Sequence, residues 1–249
     1  MNDASKPTRD DLGAAAPADA SGRVTFYLVR HGQTEYNLNH LVQGWCDAPL
    51  TQEGVRDARR VGCGLARAGI EFRRAYSSDL GRAVRTLDEL LDARAQTAPN
   101  LARPAHLQDA RIREWCYGDL EGRPGTCMRD VLNEGFGREM PFEELNERLP
   151  ETADVIKRAD ASGKAEGWDD IAGRLRAFFR EVALDVAGKG GGGVLVVTHS
   201  FVIRSTMYLL DPARVNDPVK IANASVTHVV FDNGAFALGE AASVRYLTD

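Results

Sequence analysis

Two histidine residues, His31 and His199, each stand at the end of a short run of β-forming apolar residues, 24–29 and 194–198. Runs of this kind are typical of strands that are buried on both faces of a sheet. In an open α/β sheet, ligands bind beyond the carboxyl ends of the strands. A histidine taken alone is more often a satisfied buried or surface residue. Two of them at equivalent strand ends, one directly preceded by Arg30, have the placement that an active site needs.

The segments around these strands indicate an α/β fold. Apolar residues at helical spacing predict a helix over about 52–68 with Thr51 as its N-cap, and another over about 80–91 with Ser78 as its cap. A strand is predicted between them, at 72–76. Because strands and helices alternate, we expect a mainly parallel sheet that is covered by helices on both faces.

The second half of the chain first loses this pattern and then regains it. Between about 109 and 167, glycine and proline residues interrupt short polar segments, which predicts an excursion from the core. A helix over about 171–182 and another beginning near Ser200 flank the strand that precedes His199. A terminal hairpin or meander is predicted from residues 225–231, a turn at 232–234, and short segments around Phe236 and Val244.

Domain organisation follows from where large apolar residues occur. Residues 1–22 contain few of them, so we expect a disordered tail that cannot bury enough surface to offset its ordering entropy. Residues 23–249 are expected to form a single domain, which is long enough to bury a sizeable core. The four cysteines form no C-x-x-C pair, so neither a zinc site nor a disulfide framework is predicted.

Composition excludes two classes of binding partner. The 31 Lys and Arg residues against 36 Asp and Glu give a formal net charge of −5, which leaves no cationic surplus for a phosphate backbone or an acidic membrane surface. No apolar run approaches the roughly 18 residues that cross a bilayer. The first residues show no cationic start followed by an apolar stretch. We therefore expect a cytoplasmic protein that binds neither nucleic acid nor membrane.

Five separated segments, in order, resemble the histidine phosphatase, or phosphoglycerate-mutase-like, superfamily. They are Leu28-Val-Arg-His-Gly-Gln-Thr-Glu-Tyr-Asn37, Gln43-Gly-Trp-Cys-Asp-Ala-Pro-Leu-Thr51, Ser77-Ser-Asp-Leu-Gly-Arg-Ala-Val-Arg-Thr86, the stretch from Glu114 to Gly122, and Val196-Val-Thr-His199. The resemblance covers about residues 24–210. It implies a three-layer α/β/α sandwich with a mainly parallel sheet of about six strands.

The resemblance also assigns roles to individual residues. It implies that His31 is the nucleophile, which forms a phosphohistidine, and that the transferring phosphoryl group is bound by Arg30, Arg82 and His199. Further phosphate or substrate contacts are implied for Asn37, Gln43 and the backbone of Gly44. Glu114 matches the family's proton donor to the leaving oxygen, and Glu121 is the next candidate for that role.

The implied roles set opposite requirements for His31 and Glu114. An attacking imidazole must be neutral, and two arginines at about 4 Å, with an effective dielectric near 20, would each oppose its protonation by about 4 kcal/mol. Since their planar forks also suit the phosphoryl oxygens, no metal and no cofactor are expected. Glu114 must instead hold a proton, and the neighbouring Trp115 and Tyr117 could provide the apolar surroundings that raise a carboxyl pKa.

The resemblance leaves three activities to be distinguished. The stretch after Glu114 lacks the Arg-Ser-Tyr segment and paired prolines that the mutases carry, and it ends in Leu120-Glu121-Gly122, as in the phosphatases. We therefore expect a metal-independent phosphomonoester hydrolase that acts on small phosphorylated metabolites. The alternative is a 2,3-bisphosphoglycerate-dependent phosphoglycerate mutase. A second alternative, a non-catalytic regulatory binding protein, predicts the loss of a core site residue.

Ser200 departs from the family pattern, because many members have glycine directly after the second histidine. We expect Ser200 to cap the following helix. The sequence carries no signal for the physiological substrate or the oligomeric state.

Overall fold

The structure is a computed structural model that describes residues 22–247. The tail expected at residues 1–22 therefore lies outside the described residues, except for Gly22. The extent of the single domain expected over 23–249 stays a prediction.

Six strands form one mainly parallel sheet within the described residues. They are β1 (Val24–Arg30), β2 (Phe72–Ser77), β3 (His106–Gln108), β4 (Gly192–Thr198), β5 (Val226–Asp232) and β6 (Ala235–Leu238). Their order across the sheet is β3-β2-β4-β1-β5-β6. The pairs from β3 to β1 are parallel, whereas β5 pairs antiparallel with both β1 and β6. The predicted fold class is confirmed, including the hairpin between β5 and β6.

Eight α-helices accompany the sheet in residues 22–247. They are α1 (Glu35–Leu38), α2 (Gln52–Arg67), α3 (Gly81–Thr97), α4 (Gly125–Phe136), α5 (Phe142–Glu147), α6 (Leu149–Ala159), α7 (Trp168–Ala187) and α8 (Ser200–Leu210). Short 3₁₀ turns occur at Ala110–Ile112, Gly118–Leu120, Pro212–Arg214 and Arg245–Leu247.

Two apolar clusters, one on each face of the sheet, explain the three layers. Phe26 of β1 packs with Phe179 of α7, in a cluster that also contains residues of α6 and α8. On the opposite face, Val29 of the same strand belongs to a cluster with Leu65 of α2 and Leu87 of α3. Because successive side chains of a strand point to opposite faces, a strand between two helical layers must be apolar at nearly every position.

The excursion contains helices that the sequence analysis did not predict. Three of its prolines and glycines lie at helix ends: Pro124 and Pro141 precede α4 and α5, and Gly137 ends α4 with φ at 70°. Proline is tolerated at a helix start, and glycine adopts the left-handed conformation that ends a helix. Reading these residues only as interruptions was therefore wrong.

Both serine caps were also predicted wrongly, whereas the Thr51 cap is confirmed. The Thr51 side chain accepts the N–H of Gly54. At α3 the N-cap position is Leu80, without a side-chain cap, and at α8 it is His199. The C-terminal segment around Val244 forms a bridge at Ser243 and a 3₁₀ turn instead of a strand.

No helix among residues 22–247 is both long and apolar enough to span a bilayer.

Candidate active site

His31 and His199 lie side by side because β1 and β4 are neighbouring parallel strands. Arg30 at the end of β1 pairs with Thr198 at the end of β4. The backbone N–H of His31 donates to the carbonyl oxygen of Thr198 at 2.9 Å. The centroids of the two imidazole rings are 5.1 Å apart, and both residues are buried. The structure therefore brings the two histidines into one site.

The ring of His31 has one nitrogen engaged and one available. Nδ1 lies 2.8 Å from the carbonyl oxygen of Gly32. A carbonyl oxygen can only accept, so this contact places the proton of a neutral imidazole on Nδ1 and leaves the lone pair of Nε2 free. Burial lowers the pKa of His31 well below 6.5, and the charges of Arg82 and Arg30 lower it further. His31 is thus a neutral imidazole at physiological pH, as a nucleophile must be.

His199 is held by a serine rather than by a backbone group. Its Nε2 lies 2.9 Å from Oγ of Ser78, and that hydroxyl also accepts the N–H of Leu80 at 3.2 Å. The other ring nitrogen, Nδ1, is buried and has no hydrogen-bond partner among residues 22–247. Burial lowers the pKa of His199 well below 6.5, and the charge of Arg82 lowers it further. The contact with His199 explains the position of Ser78, which was predicted only as a cap.

Two arginines place positive charge beside these rings. The guanidinium of Arg82 donates to the carbonyl oxygens of Gly44 at 2.6 Å and Cys46 at 2.9 Å, and Arg30 donates to that of Ile221 at 2.6 Å. Burial lowers the pKa of Arg30 to about 10, so the group remains charged at neutral pH. The Nε atoms of both arginines are buried without a partner in the described part of the chain. Buried cationic donors with unused hydrogens suit an anionic ligand.

Glu114 is a buried carboxyl group with a raised pKa. Oε1 accepts the N–H of Trp115 at 3.0 Å, and Oε2 accepts the N–H of Phe201 at 3.1 Å. Burial raises the pKa of Glu114 above its usual value, although these N–H groups and the charges of Arg82 and Arg30 oppose the increase. Ser200 does not cap α8; its hydroxyl lies 3.4 Å from Oε2 of Glu114.

A partly buried ion pair, which was not predicted from the sequence, supports the backbone at Glu114. Arg174 of α7 donates to the carbonyl oxygens of Arg113 at 2.6 Å and Glu114 at 3.1 Å. The same guanidinium pairs with Glu166 at 2.8 Å, and Glu166 accepts the N–H of Cys116 at 3.0 Å. No local sequence pattern marks Arg174 or Glu166, because the backbone groups that they bind lie about fifty or more residues away.

Glu121 anchors the loop that carries Gln43 and Gly44. Its two carboxylate oxygens accept the backbone N–H groups of Gly44 and Cys46 at 3.0 Å and of Trp45 at 2.8 Å. A fourth N–H, from Tyr117, lies at 3.0 Å. The N–H of Gly44, expected to contact phosphate, is thus engaged by a side chain in this structure. A carboxylate surrounded by four N–H donors also does not fit the role of reserve proton donor.

The other two implied contacts differ in what they offer a ligand. Gln43 accepts the hydroxyl of Thr34 through Oε1 at 2.7 Å, while its Nε2 is buried without a partner within residues 22–247. The Oδ1 of Asn37 accepts the N–H of Thr34 and the side-chain amide of Asn223. That same Asn223 amide donates to the carbonyl oxygen of His31 at 2.9 Å. Gln43 thus has an unused donor, and Asn37 is linked to the end of β1.

Among the described residues, no three His, Cys, Asp or Glu side chains are grouped as metal ligands.

The chain is similar to proteins of known family. A family model described as "Histidine phosphatase superfamily (branch 1)" matches residues 26–139 and 129–242. A 2,3-bisphosphoglycerate-dependent phosphoglycerate mutase of Sinorhizobium fredii is 44% identical over 187 residues, covering 75% of this chain and 79% of the relative. The mutase of the same name from Mesorhizobium japonicum is 31% identical over 211 residues, covering 85% and 93%.

A solved structure gives the same family. The phosphoglycerate mutase of Bacillus anthracis superposes with a TM-score of 0.84 and 34% identity, covering 93% of this chain and 98% of that one. These names agree better with the mutase, which was the alternative expectation, than with the hydrolase. The family matches, together with the confirmed fold, show that this chain belongs to branch 1 of the histidine phosphatase superfamily and is an enzyme of that family.

Proposed function

We propose that the chain hydrolyses small phosphomonoesters through a phosphohistidine at His31. In the first step, Nε2 of His31 attacks phosphorus, the bond to the ester oxygen breaks, and Glu114 gives that oxygen its proton. In the second step, water attacks the phosphorus of the phosphohistidine, the bond between phosphorus and Nε2 breaks, and Glu114 takes up a proton from the water. Inorganic phosphate leaves, and His31 returns to its neutral form.

The observation that carries this proposal is that burial favours the neutral form of both the His31 imidazole and the Glu114 carboxyl group. His31 is neutral with a free Nε2, whereas burial favours the protonated form of Glu114. A neutral nucleophile and a protonated acid in one site are the two starting forms that phosphoryl transfer to histidine needs.

The cationic groups match the charge of the transferring phosphoryl group. Arg30, Arg82 and Nδ1 of His199 are proposed to bind its oxygens, where negative charge is spread in the transition state. Gln43, Asn37 and the backbone of Gly44 are proposed as further contacts with the phosphate or the substrate. Of these, the unpartnered Nε2 of Gln43 gives the best support.

Water is proposed as the acceptor because the stretch after Glu114 lacks the Arg-Ser-Tyr segment and paired prolines of the mutases, and because two arginines of the excursion are held in ion pairs. Arg138 pairs with Glu144, and Arg148 pairs with Glu151. A mutase must hold the carboxylate and second phosphate of bisphosphoglycerate as well as the transferring group, so it needs further cations.

The mutase remains the second candidate, and it is favoured by the names of the relatives. A specific pocket also supports it. This pocket, of about 210 Å³, is lined by Arg30, Ser200 and Lys220, with Asn146 on the same wall. Lys220 is exposed there and could meet a substrate carboxylate.

Two measurements test the proposal. Brief reaction with a ³²P-labelled ester should leave acid-labile, alkali-stable label on the wild type, and none on His31→Ala. Equal labelling of the two proteins would overturn the assignment of His31. Phosphate release and conversion of 3-phosphoglycerate with added 2,3-bisphosphoglycerate should then be compared in one preparation. Conversion that exceeds hydrolysis, and that Lys220→Met abolishes, would establish the second candidate instead.

A further inference from the structure

We propose that the apolar cavity between α4, α5, α6 and the start of α8 binds the leaving group, so that the preferred substrates are phosphomonoesters of apolar alcohols. This inference rests on the proposed function, because it names the substrate class of the same site. The cavity has a volume of about 520 Å³, within the range of roughly 300–1,000 Å³ that is usual for pockets of small-molecule ligands.

The interior of the cavity is formed by large apolar side chains. Leu132 comes from α4, Met140 precedes α5, Leu145 lies on α5 and Ile156 lies on α6. The charged residues of its lining, Arg129 and Glu139, are exposed to solvent and therefore lie at the rim. An apolar interior with a polar rim favours a ligand that buries hydrocarbon.

The cavity adjoins the group proposed to protonate the leaving oxygen. Phe201 lines the cavity, and its N–H donates to Oε2 of Glu114 at 3.1 Å. Phe142 and Phe201 also line the smaller pocket that contains Arg30 and Ser200. The cavity and the phosphoryl-binding side therefore share an aromatic wall, and a group attached to the leaving oxygen can extend past Phe201 into the cavity.

The mouth of the cavity carries an apolar side chain that solvent reaches. Phe142, at the first position of α5, is 40% exposed and lies 6.5 Å from Phe201 between ring centroids. A hydrocarbon chain that lay against these rings would cover apolar surface on both, which gives a favourable contribution for each added methylene.

A series of n-alkyl phosphates from methyl to octyl tests the proposal on the full chain, with release of inorganic phosphate as the readout. For the wild type, kcat/KM should rise about fourfold per methylene over the first several carbons and then level off when the cavity is filled. Phe142→Ala and Leu145→Asn should flatten this slope. Leu107→Ala is the matched control, since Leu107 is also 40% exposed but lies on β3, and it should keep the wild-type slope.

Each outcome decides for or against the cavity. A flat series in the wild type, or an unchanged slope in Phe142→Ala, would overturn the proposal. Because Phe142 is 40% exposed, we expect Phe142→Ala to fold. The test therefore still holds if Leu145→Asn does not fold. Failure of the proposed function is recognised separately, because in that case no ester of the series, methyl phosphate included, releases inorganic phosphate.

Discussion

Glu121 and Arg82 hold the two sides of one loop. The Glu121 carboxylate accepts the N–H groups of residues 44–46, while the Arg82 guanidinium donates to the carbonyl oxygens of Gly44 and Cys46. Gly44 leaves no room for a side chain there, because an added Cβ would lie 2.3 Å from Oε1 of Glu121. The position of a proposed phosphate-binding arginine thus depends on a carboxylate that is not expected to touch the substrate.

Glu121→Gln should therefore lower kcat/KM about 10- to 100-fold. An amide nitrogen cannot accept the N–H groups that one carboxylate oxygen now accepts, and leaving such groups unpaired costs about 1–3 kcal/mol. The loss should be the same for alkyl and aryl phosphates, because Arg82 acts on the phosphoryl group in both. Glu121→Asp should recover part of the activity, and the exposed Glu143→Gln serves as the control. A loss confined to alkyl phosphates would instead return Glu121 to the role of proton donor.

Glu114→Gln should remove the alkaline limb of the pH profile of kcat/KM. The pKa of Glu114 is raised, so the active protonated form is lost as pH rises through that pKa. The pKa of His31 is lowered, so the neutral nucleophile is lost only as pH falls well below 6.5. The second ionisation of the substrate, near pH 6, affects the wild type and Glu114→Gln alike. The difference between their two pH profiles therefore reports the ionisation of Glu114 alone.

The effect of Glu114→Gln should also depend on the leaving group. An alkyl phosphate needs protonation of a strongly basic oxygen, so its single-turnover rate should fall about 10²- to 10⁴-fold. An activated aryl phosphate leaves as a weaker base and should lose much less. Equal losses on the two esters would mean that Glu114 positions the phosphate rather than protonating the alcohol.

Arg174→Lys should destabilise the protein and mimic a partial loss of Glu114. A lysine has no planar fork with which to satisfy Glu166 and the carbonyl oxygens of Arg113 and Glu114 together. We expect a loss of about 1–3 kcal/mol in the free energy of unfolding, measured by urea denaturation. The remaining folded enzyme should lose more activity on alkyl than on aryl phosphates. Arg56→Lys, in an exposed ion pair with Glu53, should change neither quantity.

Ser78→Ala should change which nitrogen of His199 carries the proton. Because Oγ of Ser78 already accepts the N–H of Leu80, we expect its own hydrogen to point at Nε2 of His199, which leaves the histidine proton on Nδ1 facing the phosphate. The ¹⁵N shifts of the His199 ring report the tautomer directly. In Ser78→Ala they should move towards the Nε2–H form, with a fall in kcat/KM of about tenfold. Wild-type shifts in the variant would contradict this role, and Ser78→Thr should restore both quantities.

Hydrolysis should survive removal of divalent metals. Arg30 and Arg82 can neutralise the phosphoryl oxygens, which is the function that Mg²⁺ has in many phosphoryl-transfer enzymes, and Nδ1 of His199 can donate a hydrogen bond to them. Activity after EDTA treatment and desalting should equal that of the untreated protein. Loss of turnover that Mg²⁺ or Zn²⁺ restores would show that the arginines are not sufficient.

Short-range patterns in the sequence were enough to predict the framework of this site. Continuous apolar runs predict strands buried on both faces, and the residues that end them, His31 and His199, must then lie at the same edge of a parallel sheet. Arg82 was identified through the resemblance of residues 77–86 to the histidine phosphatase superfamily. These are short-range patterns, and their consequences follow from strand geometry.

The surroundings that give these residues their chemistry come from segments that meet only in the folded chain. The pKa of Glu114 depends on burial against α8, and its backbone is held by Arg174 of α7, some sixty residues away. Glu121 was a candidate acid from the sequence, whereas in the structure its carboxylate accepts four backbone N–H groups and holds the loop in place. The excursion forms three helices around an apolar cavity, and Pro124, Gly137 and Pro141 lie at the ends of these helices. Burial and long-range hydrogen bonds depend on which segments meet in space, and no local pattern of residues encodes that.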